Sequence, residues 1–105
     1  MDSRKEEILQ QIRVTVRDID PHAQVVLFGS QARNEARADS DWDLLILIPH
    51  AVDRAYEQKF RHSLMQVEMQ YGIAVSAFVY CESVWHTRHK ITPFYQIVNK
   101  EGILL

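Results

Sequence analysis

The sequence predicts an α/β domain of the α+β kind, a small mixed β-sheet with helices packed against it. Three observations carry this. Two long segments repeat apolar residues at helical spacing, three short segments are apolar runs of strand length, and the two kinds alternate along the chain. The expected order is helix, strand, helix, strand, helix, strand and two closing helices, in two or partly three layers.

Ile8, Ile12, Val16 and Ile19 recur near the helical period, which predicts a helix over residues 3–18. Ser3 with Glu6 has the form of a capping box at its start, and Asp20-Pro21 stops the pattern. Val25 to Phe28 is a short apolar run ending at Gly29-Ser30, a buried strand followed by a tight turn. That turn is expected to open a short helix over 31–36. Asp41 to Ile48 reads as the second strand, closed by Pro49. Tyr56, Phe60, Leu64, Val67 and Tyr71 fall on one face of a helix that Gly72 ends. Ile73 to Tyr80 is β-branched and aromatic enough for a third strand. Ser83 and Thr92-Pro93 mark the starts of two short helices, the second ended by Gly102.

A chain of 105 residues with 47% hydrophobic positions suits one domain, residues 1–105, with one core and little room for a separate substrate-recognition module. A partner is therefore expected. The net charge of −2 argues against free nucleic acid as the main ligand. Cys81 stands alone, so no internal disulfide forms, and the opening MDSRKEEILQ lacks the basic-then-apolar order of a signal peptide. The longest apolar run, Leu44 to Ile48, falls far short of the ~18 residues that span a bilayer. The expectation is a soluble, cytoplasmic protein with no membrane association.

The chemistry concentrates in the middle of the chain. Gly29 lets the backbone turn sharply after a strand, and the amides that follow, with the Ser30 hydroxyl, make a natural phosphate seat. Asp41 and Asp43 lie two apart on the expected strand, so their carboxylates project to the same side, roughly 6.6 Å apart along the chain. Such a pair suits magnesium, which takes few carboxylates together with phosphate oxygens, as phosphoryl or nucleotidyl transfer requires. Asp is disfavoured in strands, and a carboxylate beside the run from Leu44 to Ile48 is costly if buried alone. Trp42 between them points to the opposite face and reads as core. An EF-hand reading fails, because its glycine position is Leu44 and its final glutamate position is His50. A zinc site at Cys81, His86 and His89 lacks paired cysteine spacing.

The stretch from Phe28-Gly29-Ser30-Gln31-Ala32-Arg33 through Asp39-Ser40-Asp41-Trp42-Asp43-Leu44 resembles the nucleotidyltransferase superfamily related to DNA polymerase β. Gly29-Ser30, ten residues, then Asp41-x-Asp43 is similar to the signature of its minimal nucleotidyltransferase group, and the likeness extends to Thr92-Pro93-Phe94-Tyr95 and Glu101-Gly102. The resemblance implies that Gly29 and Ser30 contact a nucleoside triphosphate such as ATP, that Arg33 faces its phosphates, and that Asp41 and Asp43 are catalytic and bind Mg2+. It implies transfer of a nucleoside monophosphate, AMP, to a hydroxyl, with release of pyrophosphate. It also implies a role as the antitoxin of a toxin–antitoxin pair whose partner is a helical protein of the HEPN type, in some members by adenylylating a partner tyrosine. Assembly with identical copies is compatible with the sequence.

Two positions depart from the group's pattern. Asn34 stands where glycine often follows the arginine, and asparagine tolerates a left-handed backbone well. Active relatives place a third carboxylate on the next strand, where this chain has Ser76, which cannot act as a carboxylate base. Glu68, on the preceding helix, is a candidate substitute. The alternative function is accordingly a nucleotidyltransferase-like binding module that neutralises its partner by contact alone.

Overall fold

A computed structural model describes residues 3–105. Its elements are helix α1 (Ser3–Ile19), strand β1 (Gln24–Phe28), strand β2 (Trp42–Ile48), helix α2 (Arg54–Tyr71), strand β3 (Val75–Cys81), helix α3 (Glu82–Arg88), helix α4 (Pro93–Glu101) and strand β4 (Ile103–Leu104). The strands form one mixed sheet in the order β3-β2-β1-β4. β1 pairs antiparallel with β2 and with β4, while β2 and β3 run parallel, joined by α2 as a crossover.

Alternation along the strands gives the sheet two apolar faces. Val25, Leu27, Trp42, Leu44, Ile46, Ile48, Ala77 and Val79 pack against Ile8, Ile12 and Val16 of α1 and Phe60, Leu64 and Val67 of α2. On the other face Phe28, Leu45 and Leu47 meet Trp85 of α3 and Tyr95 and Val98 of α4. The run from Leu44 to Ile48 is continuous in sequence because β2 is central and covered on both sides. The arrangement is three-layered wherever α3 and α4 reach the sheet.

The ends of the helices follow from capping chemistry. The Asp53 carboxylate accepts the Tyr56 amide at the start of α2, and Gly72 closes that helix in the left-handed conformation at φ 65°. Thr92 caps α4 through its hydroxyl, with Pro93 in the first turn. Several expectations change, among them the start of α3, which opens at Glu82 with Cys81 at its cap and takes Ser83 inside the helix. α1 already includes Ser3, so Ser3 is not its cap. No helix forms over 31–36, where turns over 31–34 give way to irregular backbone. A fourth, two-residue strand follows Gly102, where only a helix end was expected.

Candidate functional site

Three segments meet at one end of the sheet. Phe28, the last residue of β1, pairs with Asp43 near the start of β2, and Asp43 pairs with Ser76 near the start of β3. The turn after Phe28 therefore lies directly over the first residues of β2. Gly29 holds φ 76°, and a Cβ there would run into Asp43 Oδ2, so glycine is required both by conformation and by this close approach. Within the turn the Ala32 and Arg33 amides donate to the Gly29 carbonyl at 3.1 and 3.2 Å, and the Glu35 amide donates to the Ser30 carbonyl at 3.0 Å. Asn34 takes φ 58°, which breaks any helical continuation while keeping the turn closed. Lys5 of α1 braces the turn by donating to the Gln31 carbonyl at 2.6 Å and to Asn34 Oδ1 at 2.8 Å.

Asp41 precedes β2 rather than opening it, and its carboxylate is exposed. The Ser76 hydroxyl donates to Asp41 Oδ2 at 3.2 Å, so Ser76 faces the paired aspartates. Asp43 is half-buried, with its pKa raised above the ordinary value first by burial and then by the charge of Asp41; Arg33 opposes this and Glu101 adds to it. The two carboxylates thus repel in the free protein, and a divalent cation taking its remaining ligands from phosphate would relieve that repulsion. Among the described residues no third His, Cys, Asp or Glu joins them in a metal-holding group. The Glu68 carboxylate, the candidate substitute, accepts the Val75 amide at 2.8 Å and secures the start of β3.

Arg33 lies at the same turn, and its partner was not foreseen. Its Nη1 donates to both carboxylate oxygens of Glu101, at 3.1 and 2.9 Å, and its Nε donates to Glu35 at 3.2 Å. Glu101 also accepts the Gly29 amide at 3.0 Å. Arg33 and the Gly29 amide together hold the Glu101 pKa below its ordinary value against the opposing effect of burial. Glu101 was visible only as part of the family-like ending Glu101-Gly102; no spacing or periodicity ties it to residues so distant in sequence.

The residues weighed for zinc are occupied otherwise. His86 Nδ1 lies 3.0 Å from the Tyr95 hydroxyl, His89 packs on Tyr80 and Trp85, and Cys81 Sγ lies 3.3 Å from the Ser83 hydroxyl. Trp42 is buried against the α1/α2 layer, away from the carboxylate face. No helix is long and apolar enough to cross a membrane among the described residues.

The geometry agrees with what the chain is similar to. The family model for the nucleotidyltransferase domain matches residues 9–102. A protein of Methanocaldococcus jannaschii named "Putative protein adenylyltransferase" is 30% identical over 83 residues, spanning 74% of this chain and 84% of the relative. A solved "putative minimal nucleotidyltransferase" superposes with TM-score 0.64 at 25% identity, covering 100% of this chain and 97% of the other. A toxin–antitoxin complex with AMP-PNP superposes with TM-score 0.67 at 19% identity, over 90% of this chain and 69% of that one. The antitoxin complex of a tri-AMPylated HEPN toxin from Shewanella oneidensis gives TM-score 0.63 at 18% identity, over 95% and 70% of the two chains. The last two likenesses speak for the fold. With the family model covering nearly all of the sequence, the chain belongs to the nucleotidyltransferase domain family.

Proposed function

We propose that this domain is a magnesium-dependent nucleotidyltransferase that moves AMP from ATP to a hydroxyl of a protein partner, and that it serves as antitoxin to a HEPN-type protein. One observation carries the reading: the Gly29-Ser30 turn sits directly against Asp43, with Asp41 beside it through Ser76. A phosphate seat and a carboxylate pair are thereby joined in one place. The relative's name, the AMP-PNP complex and the AMPylated HEPN toxin support the choice of nucleotide and partner.

In this reading Gly29 and Ser30 seat the triphosphate, Arg33 faces its charge, and Asp41 and Asp43 hold the cation. Magnesium would supply charge neutralisation at the reacting phosphate and orient it for in-line displacement. The acceptor oxygen bonds to the α-phosphorus, the bond to the bridging oxygen breaks, and pyrophosphate leaves. The hydroxyl proton passes to solvent, since no carboxylate stands at position 76 to take it, a deficit worth ~10²–10⁴ in rate. Ser76 instead hydrogen-bonds Asp41 and fixes its orientation.

The test mixes the protein with a HEPN-type partner, magnesium and labelled ATP. Label should pass to the partner, and Asp41→Asn with Asp43→Asn should abolish the transfer. Absence of transfer from any of the four nucleoside triphosphates would overturn the enzymatic reading. Ser76 favours a second one, a binding module that retains the nucleotide site and silences its partner by contact. In that case the double asparagine variant neutralises the partner as well as the wild type does.

A further inference from the structure

Glu101 is the last residue of α4, and its side chain is largely buried, with 18% exposure, although the residue type usually seeks water. Its position is fixed by the residues that follow it. Gly102 follows at once, and a Cβ there would meet the Val98 carbonyl at 2.5 Å and Val26 Cγ1 at 2.6 Å, so the backbone is packed against β1. Beyond it, Ile103 and Leu104 pair with Leu27 and Val26. The backbone beneath Glu101 is therefore held, and its carboxylate reaches the turn at a set height.

There the carboxylate does two things. It accepts the Gly29 amide, and it straddles Nη1 of Arg33. Gly29 is the residue whose left-handed conformation brings the turn onto Asp43. Arg33 is the cation of the same turn, and its Nε is taken by Glu35. With Nη1 and Nε engaged, the guanidinium plane is fixed and Nη2 has no protein partner among the described residues. The amides of Ala32, Arg33, Asn34 and Glu35 are spent within the turn and that of Gly29 on Glu101, which leaves those of Ser30 and Gln31 for a ligand. An arginine fixed by one carboxylate is pre-organised toward another anion, since less side-chain freedom is lost on binding.

We infer that Glu101 is a positioning residue for the nucleotide's phosphates, acting through the Gly29 amide and the Arg33 guanidinium. The inference rests on the nucleotide reading given above and adds to it a group from the far end of the chain. The same geometry has an opposite meaning if the carboxylate merely occupies the place a phosphate takes. The firm anchoring of α4 and β4 argues for a bracket, and the two meanings predict opposite changes in affinity.

Calorimetric titration of the protein with ATP and magnesium separates them. Glu101→Gln preserves shape and an acceptor for the Gly29 amide but removes the charge that holds Arg33. It should weaken ATP binding by about ten- to a hundredfold, the scale of one charge-assisted hydrogen bond. Glu101→Ala should weaken it further. In an Arg33→Gln background the Glu101→Gln change should have little effect, a coupling that a purely structural role would not produce. Affinity that is unchanged or tighter in Glu101→Gln overturns the positioning role and leaves the nucleotide site standing. Wild-type protein that binds none of the four triphosphates overturns both.

Discussion

At position 76 a serine hydroxyl stands beside Asp41 at a point in the sheet where a carboxylate would complete an acidic trio. Ser76→Asp should bring that trio together. Without metal it adds repulsion to a pair in which burial and Asp41 already raise the Asp43 pKa, so the melting temperature should fall. With magnesium the fall should shrink or reverse, and transfer to the partner should quicken by up to ~10²–10⁴. Thermal melts with and without magnesium, alongside the labelled-ATP assay, check both. That Gly29-Ser30 turns back after a strand and that Asp43 sits on the next one was legible because turn chemistry and strand patterning act locally, although Asp41 lies just before β2. Glu101 was not, since its role depends on β4 pairing with β1, which leaves no periodic trace.

At the scale of elements, the junctions are held by polar groups that the apolar pattern does not show. Asp20, just after α1, is buried and accepts from the Tyr56 hydroxyl of α2 at 2.8 Å and from the His22 amide at 3.0 Å, with His50 Nε2 at 3.2 Å. Burial alone would raise the Asp20 pKa, but these hydrogen bonds outweigh it and hold the carboxyl below its ordinary 3.8. Its stabilising effect is complete above that value and is lost as acid protonates the folded form. Tyr56 behaves in the opposite sense. With its pKa pushed up to about 12 from 10.0 by burial and by Asp20, its contribution holds below pH 10 and fades as pH rises toward 12. Tyr56→Phe should cost about 1.5–3 kcal/mol at neutral pH, the usual loss for a hydrogen bond to a charged group, and should flatten the alkaline decline. Urea unfolding across pH 7 to 12 measures both. The long helices and β2 were readable from their periodicity, whereas residues 31–36 misled because a glycine turn with polar residues after it resembles a helix start. Asn34 at φ 58° and the bracing by Lys5 resolve it as a turn.

Across the whole molecule, the layer of α1 and α2 supplies most of the core, and the smaller layer of α3 and α4 covers the face that carries the candidate site. Phe60 is fully buried in the larger layer, and Phe60→Ala should cost about 3–5 kcal/mol, a large share of the roughly 5–15 kcal/mol that holds a domain folded. Denaturant unfolding gives the value, and a loss below about 1 kcal/mol would contradict this packing. The smaller layer was legible only as two helix starts, because its contacts with the sheet are aromatic and long-range. The contact from Gly29 to Glu101 spans 72 positions of chain. During synthesis, at about 5–20 residues per second, the turn waits roughly 4–14 seconds for that carboxylate to be made. The candidate site thus cannot reach its final form until residue 101 has been made, after the strands that flank the turn have been produced.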